Sequence, residues 1–153
     1  MSGTVEAKLA ALGITIPAAS APAANYVPFV ISGNQLWISG QISMANGNFM
    51  TGKLAGEPDI EAGRAAARQC GINLIAQIKA ALGDLDRVKR VVKLVGFVNS
   101  GPDFTDQPKV VNGCSDLFVE VFGDAGRHAR SAVGVAQLPF NVSVEVEAVV
   151  EFA

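Results

Sequence analysis

A stretch near the C-terminus, residues 142–152, alternates between two kinds of side chain with a period of two. Successive side chains of a β-strand point to opposite faces, so this period predicts a strand. One face is apolar, formed by Val142, Val144, Val146, Ala148, Val150 and Phe152. The other face holds Ser143, Glu145, Glu147, Val149 and Glu151. The chain must therefore build a sheet that is covered on one side, with three carboxylates on the opposite face of this strand.

Two segments show the three- and four-residue spacing of apolar side chains that is typical of amphipathic helices. The first begins after Asp59, a residue suited to a helix N-cap, and ends at Gly83. Its apolar positions are Ala67, Cys70, Leu74, Ile78 and Ala81. The second covers about Gln107–Phe122 and stops at Gly123.

The remaining strands are indicated by β-branched and aromatic runs. Phe29–Ile31 and Leu36–Ile38 flank the turn Ser32–Asn34, which predicts a hairpin. Val88–Val98 is almost wholly apolar and predicts a strand buried on both faces. Residues 131–135 alternate again and predict a further strand.

The predicted order of elements is ββαβαββ, which indicates a two-layer α+β domain with two helices on one face of a mixed sheet. We assign this single domain to residues 26–153. Residues 1–25, rich in Ala, Pro and Ser, form an N-terminal arm with a short helix near Val5–Leu12. The opposite sheet face would stay uncovered, so we expect another subunit to bury it.

Charge and composition exclude several classes of protein. The formal net charge of −2 argues against a nucleic-acid binder, and the basic residues of 87–93 lie beside Asp84 and Asp86 as in a solvated turn. Cys70 and Cys114 lack the spacing of metal or redox sites and indicate buried thiols in a reducing compartment. With a single histidine, His128, no structural zinc site is expected.

Membrane insertion and secretion are also disfavoured. No run reaches the roughly 18 apolar residues that a membrane span needs. A signal peptide has a continuous apolar region, whereas Gly13 and Pro17 interrupt the apolar stretch at this N-terminus. We therefore expect a cytoplasmic protein without a membrane partner.

Two charged residues inside apolar strands are the candidates for chemistry. Arg130 opens a strand and could bind a carboxylate through two parallel hydrogen bonds, or form a salt bridge with a neighbouring strand. Glu145 lies fifteen residues later and could be one of three exposed strand carboxylates, with Glu147 and Glu151. If these two strands pair through Leu138–Pro139, Arg130 and Glu145 lie near the same end of the sheet.

Several tracts resemble the Rid (YjgF-type) family, also labelled the endoribonuclease L-PSP family. Residues 130–139 and 142–148 are similar to its C-terminal signature, in which Arg-Ser begins a strand, Leu-Pro ends it and the next strand carries a Glu. Ser39–Ile42 is similar to the family's Ser-Gly-Gln-Ile tract. Tyr26 and Asn112 stand at the positions of a family tyrosine and a helix asparagine.

This resemblance implies a chorismate-mutase-like fold in which three subunits pack their sheets into a central barrel, with ligand clefts between subunits. It also implies hydrolysis of reactive enamines and imines such as 2-aminoacrylate to a 2-keto acid and ammonia, with neither a metal nor an organic cofactor. The expected partners are a small imino or keto acid and two further copies of the chain.

The resemblance also implies roles for individual residues. Arg130 would hold the substrate carboxylate, and Glu145 would position or activate the attacking water. Backbone groups at Ser39 and Gly40 would contact the ligand, and Tyr26 would close the cleft. Asn112 would hydrogen-bond in or beside the cleft, or would serve as a packing amide.

The sequence departs from the family pattern at Ala132, where many members carry a cysteine. Residues 46–58 and 99–108 are also longer than in compact members. These differences leave open an alternative: a trimeric carboxylate-ligand-binding protein with little catalytic activity. The family's ribonuclease label is disfavoured by the acidic balance and the single His128.

Overall fold

The computed structural model describes residues 3–22 and 24–153 and places the main strands and helices in the predicted order. The elements are α1 (Thr4–Ala11), β1 (Phe29–Ser32), β2 (Gln35–Ile42), β3 (Met44–Ala45), β4 (Asn48–Phe49), α2 (Ile60–Leu82), β5 (Val88–Asn99), α3 (Gln107–Phe122), β6 (Ala129–Val135) and β7 (Val144–Phe152). The short β3–β4 hairpin was not predicted. Asp59 occupies the N-cap position of α2, although its carboxylate accepts a hydrogen bond from the Ala55 amide instead of capping the helix.

Five strands form one mixed sheet in the order β1-β2-β7-β5-β6. Only β5 and β6 are parallel, because α3 carries the chain from one end of β5 back to the start of β6. The hairpin that connects β1 to β2 turns at Gly33, whose φ of 62° suits a glycine. The predicted two-layer α+β arrangement is confirmed.

The core lies between α2, α3 and one face of the sheet. Fully buried side chains include Leu74, Ile78, Val91, Leu94, Val98, Leu117, Phe118, Val144, Val146 and Val150. Cys70 and Cys114 are free and buried in this layer, as the sequence predicts. Burial raises the pKa of the Cys114 thiol to about 12 and that of Cys70 well above its ordinary value, so both stay protonated.

The second face of the sheet is covered by no element of the described chain. Trp37, Val30 and Val133 on this face are 52%, 52% and 45% exposed. The prediction that β5 is buried on both faces is wrong for the single chain, because Val95 and Phe97 on the open side remain partly exposed. The three carboxylates of β7 also lie on this side, as its alternation predicts.

The N-terminal arm is anchored to the domain. The Asp86 carboxylate accepts hydrogen bonds from the backbone N–H groups of Thr4 (3.0 Å) and Val5 (2.8 Å), and these bonds lower its pKa. Glu6 pairs with Lys79 of α2. Leu9 is only 2% exposed and packs into the main core.

No helix within residues 3–22 and 24–153 has both the length and the apolar character that crossing a membrane requires.

Candidate functional site

Arg130 and Glu145 lie on opposite faces of the sheet. Arg130 pairs with Leu94, which is fully buried beneath the helices, so the Arg130 side chain lies on the helix face. Glu145 stands between two buried valines of β7 and therefore points to the open face. The sequence-based possibility that their strands pair is wrong, because β5 lies between β6 and β7. The crossover through α3 makes β6 a parallel neighbour of β5 instead.

The strand register separates the two residues further. Arg130 is level with Leu94 of β5, whereas Glu145 is level with Phe97. Two strand spacings and three residues along the strands place their Cα atoms roughly 14 Å apart. One chain therefore cannot present both side chains to the same small molecule.

Glu145 belongs to a cleft of about 350 Å³, here called the glutamate cleft. The predicted residues Tyr26, Ser39 and Gly40 line it together with Glu145. The N-terminal arm contributes Ser20, Ala21 and Pro22. A larger groove of about 510 Å³ between the arm and α2 contains none of the predicted site residues and is mostly apolar.

A β-bulge at Ser39 and Gly40 shapes the floor of the glutamate cleft. The register between β2 and β7 shifts between Ile38 and Gln41, so β2 holds one extra residue there. A Cβ on Gly40 would lie 2.2 Å from Oε2 of Glu145, so any other residue at this position would force the carboxylate to move. The Ser39 hydroxyl donates to the carbonyl of Val27 at 2.8 Å and holds the segment that carries Tyr26.

Burial raises the pKa of Glu145, and the nearby charge of Glu147 raises it further. A carboxylate with a raised pKa is a better proton acceptor at neutral pH than an ordinary surface glutamate. Perturbed acids of this kind cluster at functional sites.

Arg130 belongs to a second cavity of about 290 Å³, here called the arginine site. Its Nη1 donates to Oδ1 of Asn112 at 2.8 Å and to Oγ of Ser115 at 3.2 Å. The Ser115 hydroxyl also lies 2.9 Å from Nε2 of His128. The structure therefore brings Arg130 and Asn112 together and keeps them away from the glutamate cleft.

His128 is half-buried, and its environment keeps it neutral. Burial lowers its pKa, and the charge of Arg130 lowers it further, against a raising contribution from its hydrogen bond with the Gly126 carbonyl. No group of three His, Cys, Asp or Glu side chains is placed to hold a metal ion within the described ranges 3–22 and 24–153.

Comparison with known proteins identifies the family. A family model described as "YjgF/chorismate_mutase-like, putative endoribonuclease" matches residues 6–152. The chain belongs to this family.

Individual relatives match nearly the whole length of this YjgF-like chain. "Protein TCP17" of Trypanosoma cruzi is 59% identical over 98% of this chain and 95% of its own length. A "2-iminobutanoate/2-iminopropanoate deaminase" of Dermatophagoides farinae is 33% identical over 90% of this chain and 93% of its own. The crystal structure of the protein Atu1372 of Agrobacterium tumefaciens, whose function its title gives as unknown, has a TM-score of 0.90 at 50% identity, covering 98% of this chain and 93% of that one.

The glutamate cleft of this YjgF-like chain has an aromatic wall that the sequence did not reveal. Phe49 and Phe140 stack with ring centroids 4.8 Å apart and planes 10° from parallel. Phe140 and Asn141 both have a φ of 58°, a left-handed conformation that is strained for a bulky residue such as phenylalanine. Asn99 holds this turn by donating to Oδ1 of Asn141 at 3.1 Å. Two consecutive positive φ values depend on such contacts, which sequence periodicity does not show.

Ser115 and His128 were likewise not predicted as site residues. Asn112 and Ser115 are three residues apart on α3, and His128 and Arg130 are two residues apart at β6. These spacings place each pair on one face of its element. Their convergence becomes visible only when α3 is seen to pack beside β6.

Proposed function

We propose that the protein is a cofactor-free deaminase, which hydrolyses reactive enamines and imines, such as 2-aminoacrylate and its 2-imino acid tautomer, to 2-keto acids and ammonia in the cytoplasm. Membership of the YjgF-like family and the deaminase name of a relative 33% identical to this chain support the proposal. We further propose that the active protein is a homotrimer. In this assembly the arginine site of one copy faces the glutamate cleft of the next.

The observation that carries this proposal is the separation of Arg130 and Glu145 on opposite faces of the sheet. Each residue lies in its own open cavity, so neither cavity alone offers both a cation for a carboxylate and a proton acceptor. A shared site between two copies supplies both. It would also cover the open apolar face of the sheet.

The reaction needs orientation and charge complementarity more than strong acid or base chemistry, because a protonated C=N bond is already electrophilic. Arg130 would hold the substrate carboxylate, and Tyr26 with the backbone at Ser39 and Gly40 would enclose the imine. Glu145 would take a proton from water as the water oxygen bonds to the imine carbon. Glu145 then gives that proton to the nitrogen. As the C–N bond breaks, Glu145 takes the remaining hydroxyl proton, which leaves the keto acid and ammonia.

The first experiment generates 2-aminoacrylate in solution and follows keto-acid release by the wild-type protein and by Arg130→Ala and Glu145→Gln. We expect each variant to lose most of its activity. Glu120→Gln is the matched control, since Glu120 lies on α3 outside both cavities and pairs with Arg68 at 3.4 Å. Full activity in Arg130→Ala would remove the proposed role of that residue.

Mixing the two inactive variants tests whether the site is shared. In an equimolar mixture, half of the arginine sites and half of the glutamate clefts are intact, so about one quarter of the shared sites regain both residues. A site formed within one chain would regain none. Recovery of activity after mixed refolding therefore supports the shared site, and its absence contradicts it.

Ala132, at a position where many family members carry a cysteine, favours one second candidate: a carboxylate-binding protein that turns over little substrate. Tight binding of a 2-keto acid without hydrolysis of any 2-imino acid would select it. Cleavage of RNA by rigorously purified protein would instead select the ribonuclease activity named in the family description.

A further inference from the structure

The Arg130 guanidinium is hydrogen-bonded to the protein through one of its nitrogens, Nη1. Nη1 has two hydrogens, and its bonds to Asn112 and Ser115 use both of them. Within residues 3–22 and 24–153, Nε and Nη2 of Arg130 make no hydrogen bond. These two groups form the edge of the guanidinium that donates two parallel bonds to a carboxylate.

The direction of each hydrogen bond around Ser115 follows from His128. A backbone carbonyl can only accept, so Nδ1 of His128 carries the hydrogen that it donates to Gly126 at 2.6 Å. In a neutral imidazole Nε2 then has a free lone pair and accepts from Ser115 at 2.9 Å. The Ser115 hydroxyl donates its single hydrogen to His128, so its oxygen lone pairs accept the hydrogen bond from Arg130.

The nearby acids are engaged elsewhere. Asp116 pairs with Arg64 at 3.7 Å, and Asp124 pairs with Arg127 at 3.3 Å. In the described part of the chain, no carboxylate forms an ion pair with Arg130. The open edge of its guanidinium is therefore not neutralised from within the chain.

We propose that Ser115 and His128 are positioning residues, which hold Arg130 so that its Nε–Nη2 edge is presented to the carboxylate of the ligand. This inference rests on the proposed function for the nature of the ligand. A free arginine side chain explores many rotamers, and fixing one of them before binding removes part of the entropic cost of association. The series of hydrogen bonds from Gly126 through His128 and Ser115 holds Arg130 in this way.

The first test is spectroscopic and uses the fact that His128 is the sole histidine. We expect ¹⁵N NMR of the full-length protein at neutral pH to show a neutral imidazole with the hydrogen on Nδ1. In Ser115→Ala the signal of Nε2 should shift, because that nitrogen loses its donor. A hydrogen on Nε2 in the wild-type protein would overturn the proposal, since Ser115 could no longer be donating to His128.

The second test measures binding of 2-oxobutanoate by calorimetry. We expect Ser115→Ala and His128→Ala to bind roughly tenfold more weakly than the wild type, as for loss of one hydrogen bond in a chain that ends on a charged group. Ser115→Thr keeps the hydroxyl, and His128→Gln keeps an acceptor for it, so both should bind within about threefold of the wild type. Glu120→Gln is the control, since Glu120 lies on α3 outside the arginine site and pairs with Arg68 at 3.4 Å.

Thermal unfolding of each variant separates weakened binding from a damaged fold. Equal binding by the alanine variants and the wild type would overturn the proposal. So would an equal loss in the conservative variants, or no binding of 2-oxobutanoate by the wild type.

Kinetics distinguish failure of this inference from failure of the proposed deaminase. A residue that only orients the carboxylate-binding group affects bound substrate and transition state alike, so Ser115→Ala should raise KM roughly tenfold and leave kcat within about twofold. Binding without turnover in the wild type refutes the deaminase but leaves the positioning role supported. Turnover with unchanged KM in both alanine variants refutes the positioning role alone.

Discussion

Gly40 lies where the glutamate cleft has no space for a side chain. We predict that Gly40→Ala lowers kcat/KM at least tenfold, because its Cβ would displace the Glu145 carboxylate, and a displacement of about 1 Å can cost on the order of a hundredfold. Gly56→Ala is the matched control, since its Cβ would meet its nearest neighbour at an ordinary 3.8 Å. Wild-type activity in Gly40→Ala would show that the carboxylate position does not matter.

Glu145 is predicted to cost stability at neutral pH. Its pKa is raised in the folded chain, so the folded state resists ionisation and its relative stability falls as pH rises through the raised pKa. Glu145→Gln should therefore melt at a higher temperature than the wild type at pH 7.5. The difference should vanish below the ordinary glutamate value of 4.5, where both states are protonated. Glu57→Gln, at an exposed position, controls for the loss of one charge. The same difference at both pH values would contradict the linkage.

Among individual residues, the sequence points to those that belong to a recognisable motif. It misses those whose role depends on a contact between two elements of the fold. Arg130 and Glu145 stand in tracts that resemble the family signature, and Asn112 stands at the position of a family asparagine. Ser115 and His128 carry no motif, and their contact depends on how α3 lies against β6.

The contact between α2 and α3 depends on glycines. A Cβ at Gly113 would lie 2.1 Å from the backbone oxygen of Arg64, so the helices would have to separate. We predict that Gly113→Ala lowers the free energy of unfolding by about 1–3 kcal/mol, the usual cost of overpacking. Denaturant unfolding measures this change.

Gly71 provides the comparison for Gly113. Its Cβ would meet side-chain atoms of Leu117 and Cys114 at 2.9 and 3.1 Å, and the Leu117 side chain can move. Alanine also gains about 1 kcal/mol of helix propensity over glycine. Gly71→Ala should therefore be close to neutral, and equal losses in the two variants would contradict a backbone clash at Gly113.

Elements with a strong local signal are predicted well, and their neighbours less well. The α3 bounds of Gln107–Phe122 agree with the sequence, because periodicity and the stop at Gly123 are both local. The apolar run of β5 predicted burial on both faces. Such a run does not show whether a face is covered by a helix of the same chain or by a second subunit. The order of β5, β6 and β7 depends on the crossover through α3. Local sequence patterns do not show how such a crossover runs.

For the whole molecule, the open sheet face and the separation of Arg130 from Glu145 both favour the proposed association of several copies of the chain. Exposed apolar patches of this kind mark interaction surfaces. Trp37 and Val133 lie on this face, and so does Glu145, whose cleft we propose to be completed by a second copy. Association would therefore bury the apolar face and complete the site in one step.

Breaking the assembly should then remove activity without unfolding the chain. We predict that Trp37→Glu and Val133→Glu sediment as smaller species than the wild type, because each buries a charge in the proposed interface. Leu12→Glu is the control, since Leu12 is also partly exposed but lies at the end of α1. Trp37 is the sole tryptophan, so in Val133→Glu its emission should shift to longer wavelength as the ring meets water. Circular dichroism should remain that of the folded chain, while keto-acid release falls to background. A monomeric variant with full activity would mean that one chain completes the site by itself, and the separation of Arg130 from Glu145 would then need another explanation.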